Sequence, residues 1–273
     1  MALIDLHLHL LPGVDDGPAD DAASLEHAER IARAGVREAT VTPHVGHPDY
    51  ALDPATIAER TNVLQAVVDA ADIPLLLHPG GEIHPAGAAR LGRDELDAVA
   101  HGPPGARWVL LEVPFAGIDP SFLEACRHVR GHGFGLLIAH PERAARLLPD
   151  GLRRLGPEIA AGALLQVNVC SLLGRHGSGV QTAAARLVRD GLAHVLASDG
   201  HGGARRDTLA AGPAAARRAG ASALRASHLT EANPRFLLEH GIPRGLDRDP
   251  RPWHSRHEGR VRAAIAAARR SVR

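Results

Sequence analysis

The stretch Asp5-Leu-His-Leu-His-Leu-Leu-Pro-Gly-Val-Asp-Asp-Gly17 carries the densest chemistry in the chain. His7 and His9 are one residue apart in an apolar run. Side chains alternate faces along a strand, so both imidazoles point the same way. Asp15 and Asp16 follow within one short loop. Imidazole and carboxylate together form a donor set for a metal ion. With 18 His in the chain, a chance His-x-His is common, and a satisfied core pair is the competing reading. The test is whether other segments supply further donors at matching places.

They do. Thr42-Pro43-His44, Gly81-Glu82-Ile83, Glu112, His140-Pro141-Glu142-Arg143 and Ser198-Asp199-Gly200-His201 each follow or end an apolar run. The pooled candidates are His7, His9, Asp16, His44, Glu82, Glu112, His140, Asp199 and His201. Nine N/O donors are too many for one ion and suit two or three. No thiolate is among them, so Mn²⁺, Fe and Zn²⁺ are all admissible, and the carboxylate share leans toward Mn²⁺ or Fe.

Other chemistries lack their parts. The chain has no Lys, which removes a Walker A loop and any Schiff-base lysine. Cys126 and Cys170 do not make Cys-x5-Arg: the five residues after Cys126 are followed by His132, and Cys170 reaches Arg175 after only four residues. No Gly-x-Ser-x-Gly elbow exists. Of the remaining histidines, His27, His47, His78, His84 and His101 read as surface or supporting residues. His47 and His84 flank donor loops.

The elements that must position the donors are short apolar strands alternating with helices. Strands are expected at Leu3–Leu8, Glu38–Thr42, Ile73–His78, Trp108–Glu112, Phe134–Ala139, Leu164–Val169 and His194–Ala197. Helices are expected over Asp20–Ala34, Pro54–Ala71, Asp94–Ala100, Pro120–Gly131, Ala144–Leu155, Gln181–Asp190, Ala204–Ala219, Ala221–Ser227 and Glu231–His240. Asp20 or Asp21 would cap the first of these and Gly35 would stop it. Strands separated by helices pair in parallel through right-handed crossovers. Seven such units predict an α/β fold, a single-domain distorted (β/α)7 barrel, with an open doubly wound sheet as the alternative. In a parallel barrel, functional residues gather at the C-terminal strand ends. Six of the seven ends here carry His, Asp or Glu. The sixth ends in Gln166-Val167-Asn168 instead.

Length and composition agree. The chain has 273 residues, 45% of them hydrophobic, enough for one large domain. The barrel is expected over residues 1–243, and residues 244–273 form an Arg/Pro/Ala-rich tail with a helical stretch near 258–270. The formal net charge of zero argues against a nucleic-acid binder. Two cysteines make no disulfide framework, and the first apolar run is broken by His7, His9 and Asp15, so a cytoplasmic location is expected. No run is long enough to insert in a membrane.

These motifs resemble the PHP (polymerase and histidinol phosphatase) superfamily, and more closely its CpsB/YwqE-like bacterial protein tyrosine phosphatases of capsule and exopolysaccharide operons. Pro-Gly-Val-Asp-Asp-Gly after the His-x-His, and His140-Pro-Glu-Arg143, are the most specific matches. The likeness spans roughly residues 1 to 240. It implies a PHP-type barrel with a trinuclear centre, Mn²⁺ foremost. One ion would take His7, His9, Glu82 and Asp199. A second would share Glu82 and add Glu112 and His140. A third would take Asp16, His44 and His201. It also implies arginines that bind phosphate: Arg143, and Arg205 or Arg206 after the last motif. Guanidinium matches phosphoryl oxygens as a planar fork. Gly202-Gly203-Ala204 departs from the Asn-containing sequence usual in the family there.

The implied reaction is hydrolysis of a phosphotyrosine-bearing protein, a bacterial tyrosine kinase among the candidates. Cations would lower the pKa of a shared water for in-line attack, and a phenolate leaving group needs little proton assistance. A small-molecule phosphatase such as histidinol phosphatase, a nuclease-like PHP domain, and a non-catalytic metal-loaded regulator that binds a kinase are the alternatives.

Overall fold

The computed structural model describes residues 2–203, 205 and 209–242. The tail and Arg206 lie outside the described residues.

Among the described residues nine strands form in chain order: β1 (Leu3–Leu8), β2 (Val36–Val41), β3 (His44–Val45), β4 (Leu76–Pro79), β5 (Glu82–Ile83), β6 (Trp108–Glu112), β7 (Gly135–Ala139), β8 (Leu164–Asn168) and β9 (Ala193–Ala197). All named pairs are parallel. They fall in two sheets, of order β1-β2-β4 and β3-β5-β6-β7-β8-β9. The count exceeds the expected seven because two strand units are broken. Pro43 separates β2 from β3, and Gly80-Gly81 separates β4 from β5. Proline removes a ladder donor and glycine weakens a strand, so each unit restarts after a kink with a donor, His44 or Glu82, as its first residue. The chain itself therefore runs from one sheet into the other twice. On the far side β1 and β9 meet at their C-terminal ends, where Asp199 N donates to His7 O (3.0 Å) and His9 N to Gly200 O (2.9 Å). The result is the expected seven-unit parallel α/β arrangement, distorted where the two sheets meet.

The core has two parts. Ile4, Leu6, Trp108, Leu110, Leu137, Ala139, Leu164 and Val195 form one buried cluster, with Leu237 and Ile242 packed in. Val109, Leu111, Leu136, Ile138, Val167 and Leu196 belong to the other, together with the helices. Alternate residues of β6 and β7 thus go to opposite faces, as a strand dictates.

Helix ends follow the sequence signals. Asp20 accepts from Ala23 N (2.9 Å) and caps Asp21–Arg33, and Gly35 turns the chain at φ 98°. Asp119 accepts from Phe122 N (2.8 Å) ahead of Pro120–Gly131. Three expectations shift. The expected helix Ala144–Leu155 instead begins as an irregular turn and becomes regular over Leu152–Ala160; the extended backbone of Leu148 ahead of Pro149 prevents an earlier start. The expected helix from 204 is helical over Gly212–Arg218, its second residue being Pro213. His27 and His101, expected as surface or supporting residues, are not at the surface but buried.

Candidate metal centre

All nine candidate donors meet at the C-terminal mouth of the strands. Four overlapping groups have donor atoms within 4.8 Å of one another: His9, Asp16, His44 and His201; His7, His9 and Glu82; His7, His140 and Asp199; Glu82, Glu112 and His140. Eight of the nine residues are buried, Asp16 being the exposed one. His9 reaches Asp16, His44 and His201 as well as the inner group, which the three-site partition of the sequence does not contain.

Backbone irregularities bring these side chains round. Ile4 and Leu6 both go to the inner core cluster, so strict alternation would send His7 and His9 to the other face. A register shift between Asp5 and Leu8 breaks that alternation, as a bulge does. His140 comes directly after the inward Ala139 and stands in the left-handed region at φ 31°. Asp199 does the same at φ 52°. Non-glycine residues rarely hold such angles, and strain of this kind collects at functional sites.

Supporting residues then fix the imidazoles. His9 Nδ1 lies 2.7 Å from Asp15 Oδ2. Asp15 also accepts from Gly17 N (2.9 Å) and His44 N (3.0 Å), so it folds the Pro12–Gly17 loop back over the mouth. His7 Nδ1 lies 3.1 Å from Gln166 Oε1. His201 Nδ1 donates to Asp199 O at 2.8 Å. In each case the acceptor holds a proton on Nδ1, so that Nε2 is the nitrogen that would offer its lone pair to a cation. The consequence is visible at the end of β1: His7 Nε2 and His9 Nε2 face each other at 3.3 Å. His201 Nε2 and His140 Nδ1 are buried without a hydrogen bond. Buried imidazole nitrogens without a hydrogen bond, close to carboxylates, fit a shared cation better than a closed hydrogen-bond network.

Glu82 stands at the centre. Its Oε1 is 3.0 Å from His140 Nε2 and 3.3 Å from His7 Nε2. Its Oε2 is 3.1 Å from His44 Nδ1 and 3.4 Å from His9 Nε2. Burial opposes its charge, but His7 and the other imidazoles outweigh it and hold the carboxyl well below its usual range. Glu112 goes the other way. Burial, then the Glu82 carboxylate, push it up to about 8. Burial likewise opposes protonation of His7 and His44. The neighbouring carboxylates win, raising His7 to about 9 and His44 to about 11. Concentrated negative charge thus calls for protons, or for cations in their place.

The strand without a donor has a different task. On β8, Gln166 Nε2 donates to Asn168 Oδ1 (2.7 Å), and Asn168 Nδ2 donates to Asp199 Oδ2 (2.7 Å). Asn168 N donates to Glu142 Oε1 (2.8 Å). Gln166 and Asn168 are fully buried. The sequence placed them at a strand end, but amides gave no hint of this role, and Asp15 was not among the candidate residues either. Asp5 opens the motif without being a donor. It is buried, and its Oδ1 accepts from Ser198 N (3.1 Å), tying β1 to β9.

The two described arginines line the same opening. Arg143 Nη1 lies 3.2 Å from Asp199 Oδ2, and its guanidinium sits 4.3 Å from the centroid of the Phe115 ring. Arg205 pairs with Asp16. Each arginine is therefore held by a candidate metal-binding carboxylate at the rim.

Comparison with known proteins places this geometry. The profile for capsular polysaccharide synthesis proteins CpsB/CapC matches residues 3–239. Tyrosine-protein phosphatase YwqE of Bacillus subtilis is 33% identical over 201 residues, covering 73% of this chain and 77% of that protein. CapC of Staphylococcus aureus is 28% identical over the same length and shares. A crystal structure from work on YwqE and on CpsB of Streptococcus pneumoniae, described as unique metal-dependent tyrosine phosphatases, superposes with a TM-score of 0.71 at 28% identity, covering 90% of this chain and all of that one. The phosphotriesterase homology protein of Escherichia coli shares the fold at 14% identity (TM-score 0.55, 85% of this chain, 96% of that one).

Proposed function

The chain belongs to the CpsB/CapC family of capsular polysaccharide synthesis proteins, and from that premise we propose that it hydrolyses phosphotyrosine in proteins with the help of divalent cations. The convergence of nine His, Asp and Glu side chains at one mouth beside Arg143 and Arg205 carries this reading. His7, His9, Glu82 and Asp199 are assigned to one cation. Glu82, Glu112 and His140 are assigned to a second, and Asp16, His44 and His201 to a third. Mn²⁺ is the proposed metal, with Fe and Zn²⁺ the other candidates.

Cations held there would supply Lewis acidity and lower the pKa of the attacking water. The chain's own residues do the rest. Asp15, Gln166 and Asn168 keep the imidazoles and Asp199 in one orientation, which removes reorganisation from the reaction. Arg143 and Arg205 bind the phosphoryl oxygens and take up the charge that spreads onto them in the transition state. Phenolate is a good enough leaving group to depart without a dedicated acid. We infer a cytoplasmic enzyme whose protein substrate is a bacterial tyrosine kinase. Among the described residues no helix is long and apolar enough to cross a membrane.

The test is direct. Metal-loaded protein is incubated with a phosphotyrosine peptide and, separately, with histidinol phosphate, with and without chelator. Chelator-sensitive release of phosphate from the peptide is expected. Turnover of histidinol phosphate alone would move the protein to the small-molecule class. Turnover of neither, or activity indifferent to chelation, would defeat the proposal.

A further inference from the structure

Two aromatic rings stand at the mouth of the site, and the reaction as described gives neither of them a task. Tyr50 is the chain's only tyrosine. It lies in the loop after β3, with its ring nearly parallel to that of His44 (centroids 5.7 Å apart, 6° between planes) and 4.7 Å from His47. Phe115 lies in the loop after β6. It is 48% exposed, yet it is held in place. Its ring is 5.9 Å from His140, the Arg143 guanidinium covers it at 4.3 Å, and its carbonyl accepts from Ala145 N at 2.8 Å.

The two rings flank one opening. Tyr50 backs on to His44 and Phe115 on to His140. Those two imidazoles approach opposite oxygens of Glu82, at 3.1 and 3.0 Å. Tyr50 and Phe115 therefore stand on either side of the central carboxylate, outward of the donor ring. In an in-line displacement the leaving oxygen departs opposite the attacking water. With the water among the donors at the floor, the leaving group faces the opening between the rings.

We propose that Tyr50 and Phe115 form a clamp that receives the aryl leaving group and sets a preference for aryl over alkyl phosphate esters. The inference rests on the phosphatase reading above and adds the two residues that select the aryl ester at the mouth. Aromatic rings pair edge-to-face or offset at centroid separations of 4.5–7 Å. A phenyl ring one oxygen away from phosphorus reaches such walls, whereas the methylene of a phosphoserine leaves them in water. Arg143 couples the two tasks, because one guanidinium faces the phosphoryl site and also covers Phe115.

Phosphonates separate binding from leaving-group reactivity, since their P–C bond does not hydrolyse. The Mn²⁺-loaded full chain is titrated with phenylphosphonate and with methylphosphonate, and the ratio of the two dissociation constants is taken. Phe115→Leu and Tyr50→Leu are each expected to shrink the preference for the phenyl compound about three- to tenfold, with methylphosphonate binding nearly constant. Tyr50→Phe, which keeps the ring, is expected to restore the preference lost in Tyr50→Leu. An unchanged ratio in both leucine variants would overturn the clamp. So would equal weakening of both phosphonates, which would mean that Phe115 only braces Arg143 and Tyr50 only braces His44. Hydrolysis of phosphotyrosine peptide by a protein with an unchanged ratio defeats the clamp alone. A wild type that binds neither phosphonate and hydrolyses no peptide defeats the clamp and the phosphatase reading together.

Discussion

Asn168 Nδ2 donates to Asp199 Oδ2 at 2.7 Å, joining the end of β8 to a candidate metal-binding carboxylate 31 residues later. Asp199 is the more strained partner, at φ 52°. It also receives Arg143 on the same oxygen. Its other oxygen, Oδ1, is 3.4 Å from His7 Nε2. The amide therefore fixes which oxygen faces the centre. Loss of such a supporting bond typically costs 10- to 100-fold in metal affinity. Asn168→Ala is expected to weaken metal binding by about that factor while far-UV circular dichroism stays at the wild-type signal. Wild-type affinity in this variant would remove Asn168 from the site's support.

The buried donor set makes the fold dependent on its cations. Buried charges that lack full compensation cost several kcal/mol, and a ligand bound only by the native state stabilises it by mass action. At a free metal concentration about a hundredfold above Kd that gain is about 2.7 kcal/mol. For a chain of this size the shift corresponds to roughly 5–10 °C in Tm. Thermal unfolding with saturating Mn²⁺ and with excess chelator should differ by that amount. Coincident melting curves would count against the centre.

Metal binding should release protons. Burial disfavours the charged imidazole at both His7 and His44, but the carboxylates around them raise the pKa to about 9 and about 11. At neutral pH both rings are therefore protonated without metal, and each must lose its proton to become a donor. Affinity should rise with pH through the neutral range. Glu112, raised to about 8, adds to these, so calorimetric titration in buffers of different ionisation heat should count about two to three protons released per protein. Proton uptake, or a pH-independent affinity, would contradict this charge arrangement.

Arg143 should matter to the transition state more than to the fold. Its side chain is partly exposed and spans Asp199 and the Phe115 ring. Removing one preorganised donor from a developing oxyanion costs about 10²–10³ in kcat. Arg143→Ala is expected to lose activity on phosphotyrosine peptide by that factor. Arg143→Lys should recover only part of it, because an ammonium cannot present a planar fork. Full activity in the lysine variant would show that charge alone suffices.

Away from the centre, His101 makes the fold sensitive to acid. The ring packs 4.6 Å from Trp108 and fills the space a side chain at Gly80 would need. Burial first, then the nearby His78 and Arg107 charges, lower its pKa from 6.5 to about 3. The unfolded chain thus takes up this proton near pH 6.5 and the native state only near pH 3. The stability tied to a neutral His101 is complete above pH 6.5 and falls away as the pH drops toward 3. The contribution approaches about 1.4 kcal/mol per pH unit within that window. Urea unfolding at several pH values should show a steeper acid loss for wild type than for His101→Leu. Parallel curves would mean that His101 is protonated in the native state.

The sequence by itself determined which residues are candidates for the chemistry. Apolar runs interrupted by helices fixed a parallel α/β order, and donor residues at the C-terminal ends of those runs identified the mouth. Trp108–Glu112 and Pro120–Gly131 form as their residues predict, because an apolar run ending in a carboxylate and a Pro-started, Asp-capped helix are local signals. The tertiary structure alone decided how the donors are turned and shared. Period-two alternation cannot foresee the shift between Asp5 and Leu8 or the left-handed turns at His140 and Asp199, because each is imposed by packing against strands distant in sequence. Nor could spacing reveal that Gln166 orients His7 across 159 positions, or that His9 stands in two donor groups at once. Short-range pattern specifies a strand and its ends, whereas a hydrogen bond between strands exists only once the seven units have come together.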